Sequence, residues 1–371
     1  MLTSRVSQTL CITLFAGVLL AQPSSAGQHL VRAATKPCNW EVSRGSGVPN
    51  SVLYGVATYS SGAVWAVGLT YPYPSAYGVP FFEHYDGGVW TSGLAPNPNY
   101  GDVNGLGAAS AGSSTDAWAV GFAYDLLSGG SASIVEHWQG IRWHVVHPGT
   151  GGLLVDALNS VVAFSPTDVW AAGHAGLSSS SDGYDIVEHF DGRRWRFSLM
   201  VTDTRPSLGF TSIRGSSQND IWAVGSSAYY AEHYDGKQWT QVALPNPALQ
   251  PVAVTDSAPN DAWIAAENDG GPYAQAQMEH WNGKAWSLVA TPNVPGKNNT
   301  LTAITSRPDG RAWAVGYTGD SQSECALALY RAPRSAAQWM IQSVPPGCSH
   351  LHTPLSDVSA TAGDVLGGRH W

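Results

Sequence analysis

One five-residue string recurs through most of this 371-residue chain and restricts what the chain can fold into. It stands as V-W-A-V-G around Trp65, D-A-W-A-V-G at Trp118, D-V-W-A-A-G at Trp170 and D-I-W-A-V-G at Trp222. D-A-W-I-A-A at Trp263 and R-A-W-A-V-G at Trp313 complete the series, at intervals of 53, 52, 52, 41 and 50 residues. A second string follows each first one. E-H-Y-D-G-G-V-W ends at Trp90, E-H-W-Q-G-I-R-W at Trp143, E-H-F-D-G-R-R-W at Trp195, E-H-Y-D-G-K-Q-W at Trp239 and E-H-W-N-G-K-A-W at Trp286, with a degenerate copy ending at Trp339. Twelve residues before most first-string tryptophans stands an apolar residue (Leu53, Leu106, Leu158, Phe210, Leu301), and three residues later another (Val56, Ala109, Val161, Ile213, Ile304). A repeat of this length marks supersecondary units that bury a core only by stacking on their neighbours.

Each unit reads as four short strands: L-x-x-V, then D-x-W-A-V-G, then a strand ending at E-H-aromatic, then one starting at the second Trp. The D-G, N-G or Q-G between strands three and four is a hairpin signal, because Gly accepts the positive φ of such a turn. Four antiparallel strands repeated in this way predict propeller blades rather than a helical solenoid. Six units run from about residue 51 to 343. Residues 355–371 offer a further strand one (L-S-D-V-S-A) and strand two (D-V-L-G-G), and Cys38–Val42 reads as an orphan strand four with Trp40 in the second-Trp column. The expectation is an all-β, seven-bladed β-propeller whose incomplete last blade is closed by the N-terminal strand, leaving no open sheet edge.

Composition agrees with stacked sheets. Charged residues make up 12% of the chain, and 18 Lys and Arg face 27 Asp and Glu, a net charge of −9 that argues against a nucleic-acid partner. Six of the 16 tryptophans fill the first column, seven the second with Trp40, and Trp138, Trp281 and Trp371 follow a His. Residues 1–26, with Arg5, the apolar run Leu10–Ala21 and small residues up to Ala26, read as a secretory signal too short to span a bilayer. Residues 27–371 are then a single secreted, extracellular domain, expected as a monomer. Export leaves three cysteines in an oxidising compartment. The strand order puts Cys325 and Cys348 on one face and Cys38 on the other, so a Cys325–Cys348 disulfide is expected.

With these strings in place the chain resembles the secreted bacterial β-propellers built from W-A-V-G and E-H-W-D-G-x-x-W units, usually grouped with kelch-like, galactose-oxidase-type or Asp-box propellers. It departs from the Asp-box pattern S-x-D-x-G-x-x-W, since Asp86-Gly87, Asp191-Gly192 and Asp235-Gly236 are adjacent, and it lacks the kelch di-glycine. The resemblance implies fold and export more than activity.

The chemistry-bearing residues are distributed rather than gathered. The pairs Glu83/His84, Glu136/His137, Glu188/His189, Glu232/His233 and Glu279/His280 fall once per blade, too far apart for a shared metal or acid–base site, and read as structural bonding between blades. Asp116, Asp168, Asp220 and Asp261 read as caps of the turn between strands one and two. Arg214 and Arg307 lie near the channel, but a sialidase-like site needs three arginines with a Tyr-Glu pair. No G-x-S-x-G elbow occurs, and Glu267–Gly271 lacks calcium-loop spacing. No catalytic residue, metal or cofactor is therefore assigned. The loops between strands two and three carry Tyr71, Tyr73, Tyr77, Tyr124, Tyr184, Tyr229, Tyr230, Tyr273 and Tyr317, and Tyr among Gly, Ser and Asn suits a binding surface. The expected function is a non-catalytic extracellular module binding a polysaccharide (glycan or cell wall) or a protein surface through that loop face. The alternative is a carbohydrate-active hydrolase or lyase at the channel mouth.

Overall fold

A computed structural model describes residues 29–34, 39–60, 62–72, 77–98, 101–127, 130–149, 154–176, 183–203, 209–225, 230–320, 323–333, 338–344, 355–360 and 365–369. The expected signal segment 1–26 lies outside them. The chain opens with β1 (His29–Ala34) and β2 (Asn39–Arg44), and six four-stranded sheets follow, each of consecutive antiparallel strands. Blade one is β3 (Ser51–Ser60), β4 (Ala63–Thr70), β5 (Val79–Asp86) and β6 (Val89–Leu94). Blade two is β7 (Val103–Ser113), β8 (Asp116–Tyr124), β9 (Ser131–Trp138) and β10 (Trp143–Val145). Blade three is β11 (Leu154–Ser165), β12 (Asp168–Gly176), β13 (Gly183–Phe190) and β14 (Trp195–Asp203). Blade four is β15 (Phe210–Ser217), β16 (Asp220–Gly225), β17 (Tyr230–Tyr234) and β18 (Trp239–Ala243). Blade five is β19 (Gln250–Asp256), β20 (Ala262–Asn268), β21 (Gln275–Trp281) and β22 (Trp286–Val289). Blade six is β23 (Asn298–Ser306), β24 (Ala312–Asp320), β25 (Ser323–Arg331) and β26 (Met340–Gln342). The chain closes with β27 (Leu355–Ala360) and β28 (Val365–Arg369).

Strand two of each blade is covered on both faces, so it is apolar throughout rather than alternating, and all eight residues of β4 are buried. The outer strand β6 is largely exposed. At the three-to-four turns Gly87, Gly140, Gly192, Gly236 and Gly283 have φ between 61° and 87°, the conformation for which glycine was expected there. Neighbouring blades interlock through the two tryptophan columns. Trp65 of blade one meets Trp143 of blade two edge-on at 5.4 Å, and Trp118–Trp195, Trp170–Trp239, Trp222–Trp286 and Trp263–Trp339 repeat the crossing at 5.0–6.0 Å. Each inner column tryptophan is at most 3% exposed, and such edge-on pairs add to the burial of their large surfaces.

The seven-blade expectation is corrected: among the described residues the structure has six four-stranded blades. Strands β27 and β28 form only a two-stranded sheet, inserted between β23 of blade six and β3 of blade one. The short C-terminal stretch supplies a strand-one and a strand-two match and no more. The N-terminal strands do not extend this sheet by a ladder: β1 and β2 pair with each other, from His29↔Arg44 to Ala34↔Asn39, and β1 lies beside β28 without a shared ladder. Trp40 nevertheless packs in the buried cluster that holds Trp313, Leu355 and Val358, and its Nε1 donates to Gln342 Oε1 at 2.9 Å. The N-terminal hairpin thus contributes to closure by packing rather than by a ladder.

Candidate functional site

The innermost strands β3, β7, β11, β15, β19, β23 and β27 surround a central channel. Each carries a β-bulge in the same column, marked by register shifts such as Leu53/Gly55, Leu158/Ser160 and Leu355/Asp357. The bulge lets Leu53 and Val56, three residues apart, both enter the core at 1% and 4% exposure, and it turns the residue between towards the axis. Tyr54, Gly107, Asn159, Thr211, Val252, Thr302 and Ser356 occupy that position and line the channel. Inner strands of adjacent blades share no ladder, so side chains bridge them. Ser160 Oγ accepts from Ile213 N at 3.1 Å, Ser212 Oγ from Val254 N at 3.1 Å and Asp357 Oδ2 from Val56 N at 2.8 Å.

The channel is narrow, about 100 Å³, and among the described residues its lining holds one guanidinium, Arg214, and one carboxyl, Asp357. Arg214 Nη1 donates to Ser160 Oγ and Ile213 O, both at 2.8 Å. Burial depresses the guanidinium and raises the Asp357 carboxyl, while the opposite charge of each partner counters both shifts. At the end where strand one begins, the channel opens into a mouth of about 430 Å³ lined by Tyr54, Phe122, Leu158, Tyr317 and Leu355, with Asn159 and Ser356 at its base. Through Phe122 the mouth adjoins an apolar cleft of about 330 Å³ formed with Val103, Tyr124 and Ala157. Tyr54 is pushed up to about 12 by burial and by neighbouring Tyr71, so it is a neutral hydrogen-bonding ring at any ordinary pH.

The loop tyrosines do different things. Tyr317 lines the mouth and Tyr124 the cleft, while Tyr77, Tyr124 and Tyr273 are exposed. Tyr71 donates its N–H to Asn50 O at 2.9 Å. Tyr184 is half-buried against the core between blades two and three, and Tyr230 opens β17 half-buried. Tyr73, Tyr229, Cys38 and Cys348 lie outside the described residues. Cys325 is buried and disulfide-bonded, with its partner outside them. The structure adds Tyr54, Thr211, Ser356 and Asp357 to the site. Arg307 is not in the channel lining: it is buried on the opposite face, with Nη2 3.2 Å from Asp309.

That opposite face explains the Glu-His and Asp columns. In blades two to five the His of E-H reaches the Asp of D-x-W on its own blade. His137–Asp116 and His189–Asp168 are 2.7 Å, His233–Asp220 2.8 Å and His280–Asp261 2.9 Å. Each imidazole also stacks on the first-column Trp at 3.9–4.2 Å. The bond therefore runs within a blade, and the Asp ties strand two to strand three as well as standing at a turn. Burial raises Asp261, but donors from His280, Ser257 and Trp263 outweigh it and hold the carboxyl below its usual range. In blade one His84 meets Tyr59 Oη instead, at 2.9 Å. In a depression of about 680 Å³ on this face Arg311 Nη2 lies 2.6 Å from Asp309, and the Arg331 guanidinium sits 4.7 Å over the Trp263 ring.

The glutamates of the E-H pairs are buried. Glu83, Glu136, Glu188 and Glu279 are 0% exposed and Glu232 4%. Burial pushes Glu188 and Glu279 up to about 7 and Glu136 well above its ordinary value. Glu188 accepts from Gly149 N at 3.2 Å, and Glu83 from Ser46 N at 3.2 Å, so these carboxyls hold the crossover arriving from the preceding segment. Among the described residues no group of three or more His, Cys, Asp or Glu could hold a metal, and no helix is long and apolar enough to cross a membrane.

No family model and no curated protein matches this chain. Solved structures do. A structure of YCF48 bound to D1 peptide shares 11% identity over 98% of this chain and 96% of that one, with a TM-score of 0.51. A streptogramin B lyase structure shares 13% identity over 86% of this chain and 91% of that one, with a TM-score of 0.54. At such identities the likeness is one of fold, and the class so defined is a β-propeller. Nothing in it selects a kelch, galactose-oxidase-type or Asp-box family.

Proposed function

We propose that the chain is an extracellular, non-catalytic binding propeller that takes an extended segment of a protein or peptide in the mouth of its channel. The observation that carries this reading is the continuity of the aromatic mouth (Tyr54, Phe122, Tyr317) with the apolar cleft at Tyr124, a path shaped for side chains in series. The polar ring beneath it, Asn159, Thr302 and Ser356, offers donors and acceptors for a backbone. The YCF48 structure with its peptide is a precedent that a fold of this kind can hold such a ligand. A sialidase-like reaction would need three convergent arginines, whereas among the described residues the channel lining contains Arg214 alone.

The test is a displayed peptide library panned on the secreted protein. Selected peptides should weaken at least tenfold on the Tyr54→Ala/Tyr317→Ala double variant and keep their affinity for Met340→Ser, on the outer strand of blade six. Peptides indifferent to the mouth substitutions, or release of sugar from a polysaccharide, would overturn the reading. Recovery of the protein from the cells rather than the medium would remove its extracellular part.

A further inference from the structure

Arg214 is a guanidinium enclosed in a channel whose lining also holds a carboxyl, Asp357 of β27. The three hydrogen bonds it makes, to Ser160 Oγ, Val161 O and Ile213 O, all leave through Nη1. The N–H groups on Nε and Nη2 have no partner among the described residues, and the side chain lines the cavity. Nε with Nη2 is the edge of arginine that grips a carboxylate through two parallel bonds. Asp357 does not fill that role. It is farther than an ion-pair distance, and its two oxygens already accept from Val56 N at 2.8 Å and Val358 N at 2.7 Å.

The channel is reached from the mouth, since the two spaces share Tyr54, Gly107, Asn159, Thr302 and Ser356 as walls. From mouth to guanidinium the walls are aromatic and aliphatic first, then hydroxyl and amide, then charged. The anion such a gradient accepts is narrow and sits at the end of an otherwise neutral chain. Asp357 already offsets Arg214, so a ligand with a single negative charge is accommodated when Asp357 takes up a proton, as its burial favours, whereas a phosphate dianion would leave excess negative charge in an enclosed space at a cost that low polarity magnifies.

We infer that the channel is a terminus-binding subsite, in which Arg214 Nε and Nη2 hold the free carboxylate of a chain end whose preceding residues occupy the mouth. This inference rests on the peptide-binding reading above and adds its polarity: the ligand enters carboxyl end first. Ser160 and Ile213 O, by holding Nη1, fix the guanidinium so that its other edge is presented to the ligand.

The test compares two probes on the unmodified protein, an N-acetylated tetrapeptide of apolar residues with a free C-terminal carboxylate and the same peptide as its C-terminal amide. Titration calorimetry should show the acid binding about 10- to 100-fold more tightly than the amide, the range expected for a charge-assisted pair. The difference should vanish in Arg214→Met, and continued binding of the amide by that variant shows that it is folded. Should the acid and amide bind equally, the Arg214 subsite falls while the mouth reading stands. Should neither bind up to millimolar concentration, the subsite also falls, and the library selection then decides the mouth reading separately. An acid preference that survives in Arg214→Met would place the carboxylate elsewhere and overturn the inference.

Discussion

Replacing Glu279 by Gln should stabilise this protein at pH 8 and leave it nearly unchanged at pH 5. Glu279 is 0% exposed on β21, and neither carboxyl oxygen has a partner among the described residues. Burial pushes it up to about 7 from the 4.5 of a free side chain. Between those values the folded protein retains a proton that the unfolded chain has released. The associated stability is complete below about pH 4.5 and is lost as the pH rises through about 7. The gap corresponds to roughly 3 kcal/mol at pH 8, and water reaching the sheet lowers this to about 2 kcal/mol. Glutamine keeps the shape without the charge, so urea unfolding at pH 8 should show a gain of about 2 kcal/mol at constant m-value. Equal effects at both pH values would refute the argument, because they would mean the carboxyl is never forced to ionise in a dry site. Glu83, Glu136, Glu188 and Glu232 are raised for the same reason, so the parent protein itself should be more stable at pH 5 than at pH 8. His84 opposes the trend: burial holds it below its usual value, and its contribution is lost as the pH falls.

Asp168→Ala should cost about 2–4 kcal/mol and Asp116→Ala about 1–2 kcal/mol. The first strands both His189 and Trp170 Nε1, bonded at 2.7 and 2.9 Å, whereas the second strands His137 alone. Thermal denaturation at pH 7 that ranks them equally would contradict this. Gly121→Ala should cost about 3 kcal/mol, since its Cβ would lie 2.0 Å from Gly105 O, while Gly87→Ala, at φ 61° with nothing within 4 Å, should cost about 1 kcal/mol. Blade five carries Ala266 in the Gly121 column, so the first figure depends on how far β7 can yield, which the same denaturation series measures. Trp40→Ala should cost about 3–5 kcal/mol and expose the N-terminal hairpin to protease, because Trp40 is 3% exposed beside Trp313. Unchanged proteolysis would show that β1 and β2 do not depend on that packing.

The tryptophan columns were legible because stacking sheets demand a large apolar residue at the same place in every unit. The bulge was written in the sequence too, though in a less obvious form. Leu53 and Val56 are an odd number of residues apart, and an unbroken strand would send them to opposite faces, so their joint burial requires an inserted residue, here Tyr54. Read in that way, the same offset names Thr211, Ser356 and the rest of the channel wall. The blade number was not legible in the same manner. Matching strings identify strands, but which backbones share a ladder depends on where two chain segments meet, and here β2 pairs with β1 while β28 pairs with β27. Arg214 was placed near the axis by its column, whereas its partner Asp357 sits in the least regular repeat, where no tryptophan marks the register.

The edge-on tryptophan crossings have a direction. Each of blades two to six offers the indole of its fourth strand backwards, into the inner tryptophan of the blade before it. A ring opened at any of these five crossings would therefore have unlike ends, one with a bare inner indole and one with an outer indole left without a seat. Two fragments cut at the same crossover would be mutually complementary. A single fragment would be self-complementary head to tail, so the interlock that closes one molecule can equally link several into a chain.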